Sequence, residues 1–360
     1  MQLAIHDREH SFSDRWITYC DQHDISYIRV NCLDNDIIQK LRIVDALLWH
    51  WDHNDPRGLF MARYVLMAAE AMGIVIFPNM PTCWHFDDKV AQKYLLEAIG
   101  APLIPTYIFY DLEDALQWIG GTSFPKVFKL RRGAGSSNVH LVRTRDEARA
   151  LAKQAFSRGF NPIAKYSNDV TKRYRAACRR GDLLRVLRRV PQILMKIRRI
   201  NQAMGREKDY LYFQDFVPGN QFDTRVTIIG DRAFAFIRKV RPGDFRASGS
   251  GVIDYDVQKI HLECVQSAFE IAQKVGSQSM AFDFVVMPDG HAVIAEVSYC
   301  YLNTAVYNCE GYWDHKLNWH PGHVWPEEAI LMDLLDITSK RESSCYSTSK
   351  TQHKTSAIIS

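Results

Sequence analysis

The chain has no CxxC pair and no ordered Cys/His spacing of the kind that holds zinc. It has no apolar run near the roughly 18 residues that a membrane-spanning helix needs. Its eight cysteines (Cys20, Cys32, Cys83, Cys178, Cys264, Cys300, Cys309, Cys345) are scattered, which speaks against a disulfide framework and for a reduced, cytoplasmic chain. Met1-Gln-Leu-Ala-Ile-His-Asp7 lacks the basic-then-apolar order of a secretion signal, so the expected compartment is again the cytoplasm. No Gly-Lys-Ser/Thr follows a glycine-rich loop, no GxGxxG opens a helix, and no internal repeat is present. No Ser/His/Asp or Cys/His set stands out as a nucleophile with its base. These absences remove the disulfide scaffold, the zinc module, the P-loop, the solenoid and the covalent hydrolase.

What is present is an ordinary soluble composition: 360 residues, 47% hydrophobic and 24% charged, with a net charge of +4. The length suits two or three subdomains. The charge is unevenly placed. Between Lys165 and Lys208 there are 14 Lys or Arg against 3 Asp or Glu, so the remainder is net acidic and carries one strongly basic segment.

The first eighty residues alternate between strand and helix patterns: strands at 3–5, 27–30, 46–49 and 74–77, helices at 14–22, 36–41 and 58–72. Such units imply a parallel sheet covered by helices, with ligands bound beyond the C-terminal strand ends, where His50-Trp-Asp-His-Asn54 falls. Asp87 to Ile99 reads as a capped amphipathic helix ended by Gly100. Strands are expected at 107–110, 127–130 and 139–142, and a helix at 146–156. The basic segment is helical in propensity and broken by Gly181 and Pro191. A strand-rich α+β region follows from Tyr210 to about Leu335, then a Ser/Thr/Lys-rich tail, 340–360, expected to be disordered.

Three constellations carry chemistry. In Phe124-Pro-Lys-Val-Phe-Lys-Leu-Arg-Arg-Gly-Ala-Gly-Ser-Ser-Asn138, a strand delivers Lys129 to a loop with Gly133 and Gly135. Backbone N–H groups there can approach phosphate oxygens with no Cβ in the way; a plain hairpin fits equally. In the second, Asp223 and Arg225 share a strand face by period-two spacing, Arg238 ends the next strand, and Arg246 sits on Gly243-Asp-Phe-Arg-Ala-Ser-Gly-Ser-Gly251. Converging arginines favour an anion. The third is an apolar hairpin with Asp283 on one strand and Glu296 on the other. Two such carboxylates call either for a hard cation such as Mg²⁺ or for basic partners.

Taken in order, these pieces resemble the ATP-grasp family, closest in motif to glutathione synthetase and the ribosomal-protein glutamate ligases. The resemblance runs from about Asp87 to Leu335 and excludes the basic segment. It implies a fold of mixed α/β and α+β class: an N-terminal parallel α/β subdomain (1–86), then a two-part ATP-grasp fold with a central/lid part (87–209), including a basic helical insertion at 165–208, and a C-terminal part (210–339). It implies ATP and Mg²⁺ as cofactors. Lys89 and Lys129 match the nucleotide-binding lysines, and Gly133, Gly135, Ser136 and Ser137 the phosphate-covering loop. Gln214, Asp215, Phe216 and Val217 match the hinge that reads the adenine edge, with Asp223 beside it. Arg225 and Arg238 match binders of phosphate or acyl phosphate, with Arg246 a third candidate catalytic arginine, and Asp283 and Glu296 match metal ligands. The family's E-x-N is here Glu296-Val-Ser298, which leaves Ser298 or Asn303 to complete the metal site.

The implied reaction activates a small-molecule carboxylate as an acyl phosphate and joins it to an amine. Phosphotransfer without ligation and a non-catalytic nucleotide-binding module are the rival readings. A sugar acid or cell-surface glycan precursor is one expected substrate, because Trp49 to His53, Trp84 to Phe86 and the aromatic run from Tyr299 to His323 could line a polar-ring pocket. The basic segment 165–208 has the amphipathic pattern of a peripheral membrane contact. Packing on the lid fits it too, and the lack of interleaved base-stacking aromatics ranks nucleic acid last.

Overall fold

The structure, a computed structural model, describes the chain except residues 54, 134–137, 162–194, 196–201, 203–204, 242, 288 and 356–360, and describes side chains as far as Lys340. The expectation for the basic segment 165–208 and its membrane contact, and the loop residues Gly135, Ser136 and Ser137, therefore lie largely or wholly outside the described residues. Among the described residues, no helix is long and apolar enough to cross a membrane.

Strands β1 (Leu3–His6), β2 (Tyr27–Val30), β3 (Ala46–Leu48) and β4 (Val75–Phe77) form a parallel sheet in the order β2-β1-β3-β4. Helices α1 (Phe12–Gln22), α2 (Ile37–Lys40) and α3 (Pro56–Ala71) connect them. α3 starts where the sequence dictates: Asp55 accepts from the Gly58 N–H and Pro56 occupies the first turn. Leu3, Ile5, Leu48 and Phe77 pack one face of the sheet against Trp16 and Ile17 of α1, and Ala4, Leu47 and Ile76 pack the other against α3.

After the short α4 (Met80–Cys83), helix α5 (Lys89–Ala98) is capped by Asp88, whose carboxylate accepts from the Val90 and Ala91 N–H groups. A second sheet, antiparallel, has the order β5-β8-β6-β7: β5 (Thr106–Phe109), β6 (Lys126–Lys129), β7 (Val139–Val142) and β8 (Leu211–Asp215). Helices α6 (Leu112–Gly121) and α7 (Arg145–Ala155) bury Ala115, Ile119, Ala148 and Ala152 against Phe128 and Phe213.

The third sheet has seven strands. β9 (Phe222–Ile229) and β10 (Arg232–Lys239) are antiparallel neighbours at its centre, and β12 (Ser279–Val286) with β13 (Ala292–Ser298) forms one edge. β14 (Gly311–Trp313) and β15 (Trp319–Pro321) form the other edge, while β11 (Ile253–Asp254) pairs with β10. Helix α8 (Leu262–Val275), stopped by Gly276 in the left-handed conformation, covers one face. The opposite face meets the parallel sheet through Ile229, Phe234, Phe236 and Ala281, with α9 (Asn303–Tyr307) and α10 (Pro326–Thr355) completing that core.

Helix α10 runs on to Thr355, into the Ser/Thr/Lys-rich tail. The sequence after Pro326 holds no glycine or proline to stop it, so polar composition alone does not end the helix.

Candidate active site

Two cavities meet on the third sheet, one between it and the second sheet and the other between it and the parallel α/β unit. The narrower, about 130 Å³, is lined by Ile104, Val127, Val139, Phe222 and Val285 and by the segment Gln214 to Val217. Lys89, Lys129, Gly133 and Glu296 also reach it. Lys129 is buried at the end of β6, where its ammonium donates to the Gln214 side-chain oxygen at 2.6 Å and lies 3.4 Å from the Ala295 carbonyl. Burial lowers its pKa to about 8, with Glu296 acting against the shift and Lys89 adding to it. Lys89, equally buried at the head of α5, sits 3.0 Å from the Glu296 carboxylate and donates to the Gly133 carbonyl at 2.9 Å. Burial works against its charge, but Glu296 and Asp87 outweigh it and hold the ammonium protonated.

The base of the glycine loop is anchored twice. The Gly133 N–H donates to Asp87 at 2.9 Å, and its φ of 122° is one only glycine adopts without strain. Asp87 lies 2.9 Å from His53, so the loop base is tied to the end of the parallel sheet. On β8, Gln214 also donates to Thr106, and Asp215 takes an ion pair from Lys126 at 2.5 Å, a buried lysine that sequence reasoning missed. Three residues before Lys129, it lies on the opposite face of β6, so period-two spacing from Lys129 gave no signal for it.

The arginines are held by acids on neighbouring strands. Arg225 donates to both oxygens of Asp283, at 2.7 and 2.8 Å. Arg238 donates to both oxygens of Asp223, at 2.7 and 2.6 Å, and lies 2.7 Å from Asp283. Strand register makes this inevitable, since Asp223 pairs with Arg238 across β9 and β10, and Arg225 with Asp283 across β9 and β12. Burial alone would raise the Asp283 pKa, yet the two guanidinia hold it well below the carboxylate range.

Asp283 and Glu296 are opposed in register on β12 and β13, as a shared cation would require. The side chains follow the other alternative: each carboxylate has basic partners, Asp283 its two arginines and Glu296 Lys89. Ser298 donates its hydroxyl to the Cys300 carbonyl, and Asn303 donates to Glu327 at 2.5 Å while accepting from the Thr304 N–H. Among the described residues no group of three or more His, Cys, Asp or Glu is clustered to hold a metal. By its chemistry Glu296 fits Mg²⁺, since it lies at the junction of both cavities, whereas Asp223 and Asp283 serve the arginines. Arg246 lines the narrow cavity, with Asp244 holding its guanidinium at 2.8 and 2.9 Å.

The wider cavity, about 740 Å³, is lined by Arg225 and Arg238, by Glu296 and Ser298, by the loop Ser248 to Gly251, and by the start of α1. His50, Asp52 and His53 also reach it from the end of β3, as their place after that strand suggested. The loop that carries them is pinned by Tyr299, whose hydroxyl donates to the Trp51 carbonyl at 2.8 Å and accepts from its N–H at 3.2 Å. Of the residues expected to line a polar-ring pocket, His50, Asp52, His53 and Tyr301 reach the wide cavity. Trp49, Trp51, Tyr299 and Trp313 are core residues, and Trp84 is exposed away from the cavity. Apolar burial of large rings outweighs their use as a platform here. The tryptophan that does line the cavity is Trp325, with Arg15 stacked on it at 3.5 Å. Sequence reasoning missed Arg15, Trp325 and Glu327, which come from helix starts more than 300 residues apart.

This arrangement of a parallel α/β unit and two antiparallel sheets gripping a cleft is the ATP-grasp fold. The chain superposes on D-alanine–D-alanine ligase from Bacillus anthracis with a TM-score of 0.57 at 14% identity, over 95% of this chain and 99% of that one. For the D-cycloserine synthetase DcsG the TM-score is 0.54 at 15% identity, over 93% and 100%. An N5-carboxyaminoimidazole ribonucleotide synthetase solved with ADP gives 0.51 at 14% identity, over 86% of this chain, which spans 66% of that protein. No family model and no curated protein sequence matches the chain.

Proposed function

We propose that the chain is an ATP-dependent carboxylate–amine ligase that works through an acyl phosphate. The observation that carries this reading is the junction of the two cavities: a narrow apolar slot with buried lysines opens, at Glu296, onto a larger cavity floored by arginines. The likeness of fold to ligases, one of them solved with ATP, agrees with it.

In this reading the adenine lies between Val127, Val139 and Phe222, with its edge along 214–217. Lys89 and Lys129 hold the phosphates, and the Gly133 loop covers them. Bound Mg²⁺, held by Glu296, supplies charge neutralisation on the phosphate oxygens. Arg225 and Arg238 orient the substrate carboxylate in the larger cavity, so that one of its oxygens attacks the γ-phosphorus in line. The carboxylate oxygen–phosphorus bond forms as the bond to ADP breaks. The amine, in its neutral form, then adds to the acyl carbon, and collapse of the tetrahedral adduct expels phosphate, which carries off the amine's proton. Exclusion of water from the junction during turnover would protect the acyl phosphate from hydrolysis. No side-chain nucleophile is required. The arginines and the acids Asp14, Asp52, Glu296 and Glu327 on the lining favour small amino-acid-like substrates over a sugar acid.

The test is release of ADP and phosphate from Mg-ATP, screened with amino acids and uronic acids singly and in pairs. Release that requires both a carboxylate and an amine supports the ligase. Release with one component alone moves the chain to phosphotransfer. Nucleotide binding without release under any pair makes it a binding module, a reading that the arginine pairing of Asp283 would then explain.

A further inference from the structure

Two polar atoms on the wall of the wider cavity are enclosed and, among the described residues, meet no hydrogen-bond partner: Oε2 of Glu327 and Nε2 of His50. Neither side chain can swing away. The backbone carbonyl of Glu327 accepts from the Trp16 indole at 2.9 Å, and its Oε1 accepts from Asn303 at 2.5 Å. His50 lies flat on Phe12, ring centroids 3.9 Å apart and planes within 1°, with its Nδ1 2.9 Å from the Ser11 hydroxyl. The cation whose charge acts on Glu327 from the same cavity wall, Arg15, is taken up by Glu328 at 3.0 Å and by the face of Trp325. Burying a carboxylate oxygen with no donor is costly, so a cavity-side donor is the missing component.

We propose that Glu327, with His50 beside it on the cavity, is the subsite for the primary amine of the co-substrate, an amino-acid-sized molecule whose ammonium donates to Oε2. The subsite rests on the ligase reading and names its second substrate class. Charge supports the assignment. The floor of the cavity carries Arg225 and Arg238, which suit a carboxylate, while Asp14, Asp52 and Glu327 place negative charge on its walls. A cavity of about 740 Å³ holds two small molecules side by side.

Calorimetric titration of the full chain with a panel of amino-acid amides, which carry a primary amine and no carboxylate, tests the subsite without turnover. At least one amide is expected to bind the native protein, and Glu327→Gln, which keeps the Asn303 contact and removes the charge, should weaken it tenfold or more. Glu327→Asp keeps the charge but shortens the reach, so an intermediate loss is expected, and it serves if the glutamine variant fails to fold. Failure of every amide to bind, or equal affinity in all three proteins, overturns the subsite. Titration with a non-hydrolysable ATP analogue separates the two readings: its binding tests the nucleotide slot, whichever way the amides behave.

Discussion

The narrow cavity and the wide one share Glu296 and Ser248 but are built in opposite ways. The narrow one is assembled by strand register: Val127, Lys129, Gln214 and Asp215 sit on paired strands within one sheet, and Lys89 is fixed by the cap at Asp88. The wide one gathers the start of α1, the loop after β3, the segment after β13 and the start of α10. No two of these walls are neighbours in sequence. A nucleotide is a constant ligand and can be held by backbone geometry, whereas a variable substrate is met on loops and helix ends.

The wall common to both cavities gives the largest expected effect. Arg238→Leu leaves Asp223 without its partner and Asp283 with Arg225 alone, both in buried surroundings. Breaking a buried ion pair in this way costs about 3–5 kcal/mol. A urea unfolding midpoint should show that loss, with a smaller one for Arg225→Leu, because Asp283 then keeps Arg238. Equal and slight losses for both would mean that the arginines are held for substrate alone and that the two cavities do not share a structural wall.

The sequence made the narrow cavity readable because its residues lie at fixed offsets on strands. Period two placed Asp223 and Arg225 on one face, and a turn at 288–290 placed Asp283 opposite Glu296. What period two could not say is whether Asp283 meets a cation or a guanidinium. That depends on β9 lying beside β12, a pairing between residues about 60 apart. The tryptophans misled for a related reason. Trp49 and Trp51 alternate along an extended segment, yet both are buried, because the loop after β3 is covered by Tyr299 and Phe86 from elsewhere in the chain. Glu327 was invisible, since an acid in the first turn of a helix reads as ordinary dipole compensation.

Lys129→Met sharpens the comparison from the nucleotide side. It removes a charge-assisted bond worth roughly 1.5–3 kcal/mol, so the affinity for an ATP analogue should fall about 10- to 100-fold, with amine binding in the wide cavity unchanged. The pH dependence carries its own sign. In the folded protein Lys129 releases its proton near pH 8 because burial disfavours the charge, whereas the unfolded lysine keeps it to about 10.5. Between those values the unfolded chain binds more protons, so this residue's burial penalty is relieved and stability rises with pH. Nucleotide affinity moves the other way and should fall above pH 8, where a neutral amine no longer pairs with phosphate. Both trends should vanish in Lys129→Met; persistence of the affinity trend would assign it to another group.

The smallest effect is expected at the loop between the cavities. Arg246 is half-exposed, pairs with Asp244 two residues away, and reaches the Val139 carbonyl of β7 at 3.4 Å. A partly solvated pair of this kind contributes no more than about 1 kcal/mol, so Arg246→Ala should barely move the unfolding midpoint. Its place on the slot, beside Ala247 and Ser248, argues for a few-fold loss in nucleotide affinity instead. Ser248 lines both cavities, so a change in this loop is the one most able to be felt on each side of the junction. If Arg246→Ala weakens amine and nucleotide binding alike, the loop couples the two cavities and they behave as one site. If only the nucleotide is affected, the narrow cavity is an independent unit, and the wide one is free to vary around it.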